Sequence, residues 1–377
     1  MVDSRNWFNI IPSSRQRKLL ASRRDGVYIE VEGQALLNFS SNDYLGLSTH
    51  PEVIQATQDA VQQHGLGSGA SRLVSGDDPL LHALEQDLAV WKGFEACLLL
   101  GSGMLANMGL LPALATRHTH VFTDKLNHAS LVDGARLSGA KVFRYPHLSV
   151  EMLDMLLQRL PASRRLIVSD GVFSMDGDVA DVAGLLALAE QHDALLLIDD
   201  AHGTGTLGKS GKGVVDLAGI AGHARVLEVG TLGKALGSYG AYVLGTTQMI
   251  EGLRQRMRTL MYSTALPVPV LAGAKAALHV LQRGFLLQKL QQNITYFLKQ
   301  AENIPLVASL TAIQPVLLGT DAAALKAARQ LREAGFFVPA IRPPTVPEGE
   351  ARLRITLSAS HEPQHIDGLV KALSKMI

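Results

Sequence analysis

The sequence predicts an α/β fold, with a mainly parallel, doubly wound sheet in a large domain and a smaller α+β domain after it. Between residues 96 and 245, short apolar runs alternate with amphipathic segments, a pattern typical of alternating strands and helices. Several runs are continuous in valine, isoleucine and leucine, as expected for strands buried on both faces. The length of 377 residues fits about two domains.

The first 45 residues are expected to form an N-terminal arm and hairpin. Residues 15–24 are rich in arginine and lysine and are interpreted as a basic helical arm, which a short hairpin follows at VYIEVEG and QALLNFS. A polar, turn-rich crossing then leads to a helix that starts near Pro51. Residues 65–76, GLGSGASRLVSG, hold too many glycines and serines for regular structure and are interpreted as a functional loop.

A large domain is expected over residues 46–285. Its predicted strands lie at 96–100, 119–123, 141–144, 165–169, 194–198, 225–229 and 240–244, and its predicted helices include 79–91, 150–160 and 181–192. Near residue 290 the pattern changes to helix, strand (AIQPVLLG), helix, strand (FFVPAI), proline-rich loop, strand (ARLRITLS) and final helix. We therefore expect a small α+β domain over residues 286–377.

Charge and cysteine content argue against several classes of protein. Lys plus Arg, 35, nearly balances Asp plus Glu, 34, so no strong field favours nucleic acid or an anionic membrane. The single cysteine, Cys97, gives no disulfide framework and suits a reducing compartment. The N-terminal residues lack the apolar core of a secretory signal, and glycines and Pro112 interrupt the uncharged stretch 96–116. We expect a soluble, cytoplasmic protein without a metal.

Polar side chains follow two of the predicted strands at their carboxyl ends. The run ending at Ile198 leads into Asp199, Asp200 and His202, and the run ending at Val229 leads into Thr231 and Lys234. In open parallel sheets, ligands bind in the crevice outside this edge. The sequence therefore predicts that a carboxylate, an imidazole, a hydroxyl and an amine face one crevice.

This set of groups suits pyridoxal phosphate. The amine of Lys234 can bind the aldehyde of that cofactor as a Schiff base, and the carboxylate of Asp199 can keep its pyridinium nitrogen protonated. The alternative is that Lys234 is a solvated loop lysine and Asp199 a helix cap. Lys234 is not a P-loop lysine, because Glu228 stands where that motif requires glycine.

A second ligand-binding pattern follows the strand at 96–100. Residues 101–106, GSGMLA, open a helix and would present backbone amides to a phosphate. They also match G-x-G-x-x-A, and Asp124 lies near the distance expected of a ribose-binding acid. An NAD-dependent dehydrogenase is thus the competing interpretation, although it leaves Asp199, His202 and Lys234 without a role.

Four further residues are candidates with ordinary alternatives. His128 could stack on a flat ring or transfer protons, or it could be a capping residue. Ser174 follows a predicted strand and could reach the crevice, or it could be a turn serine. Arg342 and Arg354 could each bind a substrate carboxylate or form a surface ion pair, and the pattern favours neither.

Along nearly its whole length the chain resembles the α-oxoamine synthases, a family of fold-type-I pyridoxal-phosphate enzymes. The segments that carry the resemblance are NFSSNDYLGL, GSGASRLVSG, LNHASL, GVFSMDGD, IDDAHGTG, GTLGKALGS, YSTALP and IRPPTVPEGEARLRITLSASH. The last of these is the most specific, since family members that use glycine or serine differ before the proline pair. The resemblance implies a pyridoxal-phosphate-dependent acyltransferase that works as a homodimer.

The resemblance also implies a role for each matching position. Lys234 would be the Schiff-base lysine and general base, Asp199 the partner of the pyridinium nitrogen, His128 the residue stacked on the ring, and His202 a hydrogen-bond partner of the ring oxygen. The other implied cofactor contacts are Gly103, Met104, Ser174, Thr231, and Ser263 and Thr264 toward the neighbouring subunit. The implied substrate contacts are Asn42, Thr345, the carboxylate-binding Arg354, and Arg15 or Arg17 in the arm.

The implied reaction is the condensation of L-alanine with a pimeloyl thioester, carried by coenzyme A or acyl carrier protein. The condensed product would lose carbon dioxide and the thiol would be released. A family member that uses glycine or serine would differ only in the shape of its pocket, and sequence patterns do not separate these possibilities.

Overall fold

A computed structural model describes residues 11–12 and 15–376. Its strands are β1 (Ser22–Asp25), β2 (Tyr28–Val31), β3 (Gln34–Asn38), β4 (Ala96–Leu100), β5 (Thr119–Asp124), β6 (Lys141–Tyr145), β7 (Arg164–Asp170), β8 (Ala194–Asp199), β9 (Val226–Thr231), β10 (Ala241–Gly245), β11 (Ile313–Gly319), β12 (Phe336–Phe337), β13 (Ala340–Ile341) and β14 (Ala351–Thr356). Its α-helices are α1 (Pro51–His64), α2 (Pro79–Lys92), α3 (Gly103–Leu114), α4 (Ala129–Leu137), α5 (Val150–Arg159), α6 (Val182–Gln191), α7 (Val214–Leu217), α8 (Thr247–Arg254), α9 (Arg258–Met261), α10 (Val268–Gln282), α11 (Phe285–Gln300), α12 (Asp321–Glu333) and α13 (Pro363–Leu373).

The seven-stranded central sheet confirms the predicted α/β architecture. Its strand order is β4-β10-β9-β8-β7-β5-β6, and β10 runs antiparallel to both of its neighbours. The pairs from β9 to β6 are parallel. Their carboxyl ends therefore lie at one edge of the sheet, where ligands bind in folds of this kind.

Side chains of the central strands pack into a core on each face of the sheet. In β8, Leu196 and Ile198 enter one hydrophobic cluster and Leu197 enters the other. This alternation follows from the two-residue period of a strand, and both faces are apolar because helices cover both. In the sequence, this burial on both faces of the sheet corresponds to a continuous apolar run.

Two smaller sheets lie outside the central one. Strands β11, β14 and β13 form an antiparallel sheet in the C-terminal part of the chain. Strands β1, β2 and β3 form an antiparallel meander, and β3 pairs in parallel with β12. The N-terminal meander thus pairs with the C-terminal part of the chain through backbone hydrogen bonds. The domain bounds at 45 and 285 remain predictions.

The structure corrects three sequence-based expectations. Over the described residues of the arm, the predicted helix is wrong: residues 16–21 have no regular secondary structure, and Arg23 and Arg24 lie in β1, which pairs with β2. The part of the arm prediction that falls on residues 1–10 and 13–14 lies outside the described residues. The glycine-rich stretch 65–76 ends in a π-helical turn at Arg72–Gly76, and Pro339 separates the predicted strand FFVPAI into β12 and β13.

The uncharged stretch at 96–116 resolves into β4, a glycine turn and α3. Across the residues that the structure describes, no helix is both long and apolar enough to span a membrane.

Candidate active site

Three neighbouring strands end in the residues around which the site is built. Asp170 ends β7, Asp199 ends β8 and Thr231 ends β9. Asp170 pairs in register with Asp199, and Asp199 with Val229. Parallel pairing therefore brings these side chains to one edge of the sheet, as the sequence pattern predicted for Asp199 and Thr231 but not for Asp170.

Lys234 lies in the turn after β9, and hydrogen bonds of the Thr231 side chain stabilise that turn. The Thr231 hydroxyl donates to the carbonyl of Gly240 at 3.0 Å and accepts from the amide of Gly233 at 3.1 Å. Burial lowers the pKa of Lys234 to about 8, although Asp199 and Asp170 oppose this effect. A substantial fraction of the amine is therefore neutral near physiological pH and able to attack an aldehyde.

The amine of Lys234 contacts His202, which is itself held by a buried tyrosine. Lys234 Nζ lies 2.8 Å from His202 Nε2, and the Tyr44 hydroxyl lies 2.6 Å from His202 Nδ1. Burial, together with the charges of Lys234 and Arg354, lowers the pKa of His202 well below its usual value. The imidazole is therefore neutral and can donate through only one of its two nitrogens.

The carboxylate of Asp199 is fixed by two donors. Its Oδ2 accepts from Asn107 Nδ2 at 2.6 Å, and its Oδ1 accepts from the amide of Ala201 at 3.1 Å. Asn107 Nδ2 also donates to Ser130 Oγ at 2.9 Å. Asn107 in α3, which is itself bonded to Ser130 in α4, thus orients a buried acid that the sequence pattern placed just after the strand at 194–198.

His128 precedes α4 and is anchored at both its backbone and its ring. Its amide donates to Asp170 Oδ2 at 2.6 Å, and its Nδ1 lies 2.8 Å from Ser130 Oγ. Burial lowers the pKa of His128, while the nearby Asp199 opposes the shift. A neutral, fixed imidazole of this kind can lie flat against a planar ring.

Arg354 approaches the same site from β14. Its Nε donates to the carbonyl of Ser174 at 2.5 Å, its NH1 to Thr356 Oγ1 at 2.9 Å and its NH2 to Asn42 Oδ1 at 3.3 Å. Arg354 is only 5% exposed, and its charge helps to lower the pKa of both Lys234 and His202. A buried guanidinium so close to the amine can bind a carboxylate.

The predicted phosphate contacts lie at the start of α3. Ser102 caps this helix by accepting from the amide of Leu105 at 3.2 Å, while Gly103 and Met104 occupy its first two positions. The first amides of a helix have no partner inside the helix and attract anions. A methyl group added at Gly103 would meet no atom within 4 Å, so the approach to these amides is open.

Ser263, Thr264 and Arg15 are among the predicted site residues whose contacts, in the described chain, lie outside the hydrogen-bond network of Lys234 and Asp199. Thr264 forms a bridge with Ser71, and Ser263 borders a narrow cleft beside Gly101. Arg15 pairs with Asp321 at 3.2 Å and Glu348 at 2.6 Å. By contrast, Arg17 NH2 lies 3.3 Å from Thr345 Oγ1, which joins two of the predicted substrate contacts.

A family model for class I and II aminotransferases matches residues 34–373. The chain belongs to this family. The 8-amino-7-oxononanoate synthase of Saccharophagus degradans is 48% identical over 368 residues, which cover 96% of this chain and 92% of that protein. That of Polaromonas sp. is 45% identical over 373 residues, covering 96% and 92% of the two chains.

Solved structures show the same likeness in three dimensions. A serine palmitoyltransferase from S. paucimobilis, solved with PLP bound, superposes with a TM-score of 0.91 at 28% identity, covering 95% of this chain and 91% of that one. An 8-amino-7-oxononanoate synthase from Francisella tularensis superposes with a TM-score of 0.78 at 29% identity, covering 90% and 97%. The predicted fold-type-I resemblance is confirmed.

Membership in the aminotransferase family removes the dehydrogenase interpretation, and the geometry agrees. Asp124 would have to bind a ribose, but its carboxylate accepts from the amides of Leu126 and Leu148 at 2.8 and 2.9 Å. It also lies 3.0 Å from Nδ1 of His147. Asp124 is therefore a buried structural carboxylate that holds the chain around β6.

The described residues fit pyridoxal phosphate. An amine with a lowered pKa, a fixed carboxylate and a neutral imidazole surround one site, and open helix amides lie nearby. Asn107 Oδ1 is buried without a partner, so the face beside Asp199 holds an acceptor for a further donor. These are the groups that an aldehyde, a ring nitrogen and a phosphate require.

Asp170, Asn107, Ser130 and Tyr44 are among the residues of this network that sequence reasoning missed. Asp170 ends a strand as Asp199 does, so the same rule could have identified it. Asn107 is a lone amide in an apolar helix, a signal of a buried polar role. Tyr44 lies in NFSSNDYLGL with no chemical pattern around it, because its partner His202 is 158 positions away.

Proposed function

We propose that the chain acts as an 8-amino-7-oxononanoate synthase, which condenses L-alanine with a pimeloyl thioester and releases carbon dioxide and the thiol. The observation that carries the proposal is the set of curated relatives of that name, which are 45–48% identical over 93–96% of this chain. The arrangement of Lys234, Asp199 and Arg354 supplies the chemistry that this reaction needs. The single cysteine, Cys97, is buried and suits a cytoplasmic enzyme.

Pyridoxal phosphate supplies an aldehyde that reacts with amines and a ring that takes up electrons when a proton leaves the α-carbon. Lys234 would hold the cofactor through its aldehyde, a group that the amine of L-alanine can also bind. The freed Lys234 amine, with a pKa near 8, then removes the α-proton as general base and later returns a proton. Its contact with His202 keeps the amine directed into the site during this exchange.

Asp199 would keep the ring nitrogen of the cofactor protonated, because a fixed carboxylate stabilises a neighbouring positive charge. Two hydrogen bonds to the Asp199 carboxylate support this role. The 2.6 Å bond from Asn107 fixes one of its oxygens, and the amide of Ala201 orients the other. His128 would stack on the ring of the cofactor and exclude water from that face. Gly103, Met104, Ser174 and Thr231 complete the contacts to the ring and phosphate, with Ser263 and Thr264 acting across the subunit boundary.

Arg354 binds the carboxylate of L-alanine. Two observations support this role. Arg354 is buried, and its longest hydrogen bond, 3.3 Å to Asn42, is one that a substrate carboxylate can replace by forming a bidentate pair with the guanidinium. The alanine carboxylate is thereby held within reach of both Lys234 and Asn42. Binding of the carboxylate by Arg354 also orients the α-proton of L-alanine toward the amine of Lys234.

Arg17 and Thr345 form the entrance for the pimeloyl thioester. Arg17 is the better candidate of the two arm arginines, because Arg15 is already engaged by the carboxylates of Asp321 and Glu348. A guanidinium at this position suits the terminal carboxylate of a pimeloyl chain or a phosphate of its carrier.

A homodimer would complete the site. Leu73 and Val74 are 63% and 80% exposed, and Tyr262 is 70% exposed in the segment that precedes Ser263. Ser68 Oγ donates to the carbonyl of Ala265 at 2.6 Å, so the loop and this segment form one surface with apolar side chains. A second copy of the chain would cover this surface and receive Thr264 at its phosphate site.

The proposal is tested by thiol release from pimeloyl-CoA by the pyridoxal-phosphate-loaded protein, with L-alanine, glycine or L-serine as the amino acid. Release that requires L-alanine supports the proposal. Release with L-serine alone would move the chain to the activity named for its serine palmitoyltransferase neighbours. No release with any of them, from pimeloyl-CoA or pimeloyl-acyl carrier protein, would contradict it.

A further inference from the structure

We propose that Tyr44 is a positioning residue of this site: its hydroxyl holds His202 against Lys234 and, through Asn42, connects that pair to Arg354. The inference rests on the proposed function, because it assigns Lys234 and Arg354 the roles given above. It adds a physical link between the amine that exchanges protons and the guanidinium that binds the substrate carboxylate.

Four contacts form a continuous chain of hydrogen bonds. They are Lys234 Nζ to His202 Nε2 at 2.8 Å, His202 Nδ1 to Tyr44 OH at 2.6 Å, Tyr44 OH to Asn42 Oδ1 at 3.3 Å, and Arg354 NH2 to Asn42 Oδ1 at 3.3 Å. Tyr44 is fully buried, so water does not replace its hydroxyl at Nδ1. Tyr44 is therefore the central member of the chain.

The donors and acceptors have one consistent order when the amine is charged. The ammonium of Lys234 donates to Nε2, so the neutral imidazole carries its proton on Nδ1 and donates to Tyr44. Tyr44 then donates to Asn42, whose carbonyl oxygen has two lone pairs and accepts from Arg354 as well. Such a chain is polarised along its length, so each bond strengthens the next one.

When the amine is neutral, the order can reverse. Tyr44 donates to Nδ1, the imidazole carries its proton on Nε2, and that proton faces the lone pair of Lys234. Only a group that both donates and accepts can serve His202 in both states. A hydroxyl does so, and the phenyl ring of phenylalanine does not.

Occupation of Arg354 is expected to act on this chain. A substrate carboxylate that binds Arg354 replaces the bond from NH2 to Asn42, and Asn42 Oδ1 then accepts from Tyr44 alone. This change favours the order in which Lys234 is charged. Besides Arg354, the groups that face the amine are Asp199 and Asp170 on the strand ends, Asp200 behind them, and the imidazoles of His202 and His128.

The test measures how fast the cofactor-free protein takes up pyridoxal phosphate at different pH values, followed by absorbance. Uptake requires the neutral amine of Lys234, so the midpoint of the pH profile reports its pKa. In Tyr44→Phe the charged amine loses more support than the neutral one, because charge-assisted bonds are the stronger ones. We expect the midpoint to fall by about half a unit to one unit.

Two further variants keep the result interpretable. Tyr242→Phe is the matched control, since Tyr242 is also fully buried and, among the described residues, its hydroxyl hydrogen-bonds to Thr204 at 3.1 Å rather than to His202. Its midpoint should equal that of the wild type. Asn42→Ala breaks the far end of the chain and should lower the midpoint less than Tyr44→Phe does. It also serves if Tyr44→Phe does not fold.

The proposal would be overturned if the midpoint of the pH profile were the same in Tyr44→Phe, Asn42→Ala and the wild type. The coupling is tested with propionate, which is L-alanine without its amino group, at saturating concentration. A larger upward shift of the midpoint in the wild type than in Tyr44→Phe supports the coupling, and equal shifts or no shift in the wild type refute it. The assay contains no acyl donor, so a negative result counts against the role of Tyr44 and does not depend on which thioester the enzyme uses.

Discussion

Asp170 and Asp199 occupy paired positions at the ends of two adjacent parallel strands, so two buried carboxyl groups leave the same face of the sheet side by side. They are 5% and 6% exposed. Two carboxylates this close do not both ionise readily. Burial and the charge of Asp199 raise the pKa of Asp170 well above its usual value, so Asp170 favours its protonated form.

Asp170→Asn should therefore keep most of the activity at neutral pH. An asparagine has the shape of the protonated acid, and its carbonyl oxygen can still accept from the amide of His128. Asp170→Ala should lose far more, because it removes that acceptor. Steady-state kinetics at pH 7 check this prediction. A loss of about 10²-fold or more in Asp170→Asn, the range for an ionised catalytic group, would contradict it.

Lys234→Ala should abolish turnover, because the site then lacks both the amine that holds the cofactor and the general base. The matched control is Lys209→Ala, which removes an exposed lysine from the segment that follows His202. Kinetics and the visible absorbance of the cofactor-loaded proteins distinguish the two variants. Substantial turnover by Lys234→Ala would show that another group acts as base.

Asp199→Asn should retain part of its cofactor binding but lose proton abstraction. An amide does not stabilise a positive ring nitrogen as a carboxylate does, so the electron uptake by the ring weakens. The measurement is exchange of the α-proton of L-alanine with D2O, followed by NMR without any acyl donor. Exchange at the wild-type rate would mean that Asp199 does not have this role.

A fully buried charge cluster supports the site from behind. Lys92 contacts Glu228, and its Nζ lies 3.4 Å from Asp200 Oδ2 and 3.0 Å from Thr204 Oγ1. Lys92→Met leaves two buried carboxyl groups without their cation and should lower the free energy of unfolding by about 3–5 kcal/mol. Urea denaturation checks this value, and a change below about 1 kcal/mol would contradict it.

Glu228→Gln should behave differently, because burial raises the pKa of Glu228 to about 8 despite the nearby Lys92. Between the ordinary pKa of a glutamate and about 8, the folded state binds more protons than the unfolded state. The contribution of this group to stability therefore falls as pH rises through that range. Unfolding of the wild type and Glu228→Gln at several pH values tests this, and the variant should gain relative stability from about pH 5 to 8. A difference that is constant with pH would contradict it.

Most strands of the large sheet could be predicted closely because they lie on apolar runs, of which β4, β8 and β10 are the clearest. The strand predicted at 194–198 extends one residue further, to Asp199. The arginine-rich arm was predicted wrongly because local composition does not reveal a partner strand, and pairing with β2 extends the chain at 22–25. Tertiary pairing overrides local propensity in such segments.

Site residues could be predicted where one element carries them and not where several elements meet. Asp199 and Lys234 became candidates because they lie at or after strand ends, and the family resemblance then assigned their roles. Tyr44 and Asn107 act through His202 and Asp199, at sequence separations of 158 and 92 positions. No pattern within one stretch of sequence contains such a pair, so only the folded arrangement reveals it.

The most direct test of the proposed reaction follows the carboxyl carbon of the amino acid. The loaded protein is given pimeloyl thioester and L-alanine labelled with ¹³C at the carboxyl group, and labelled carbon dioxide and free thiol are measured together. Decarboxylative condensation predicts one labelled carbon dioxide for each thiol, and neither with Lys234→Ala. Thiol release with the label retained in the amino-acid product would contradict the account.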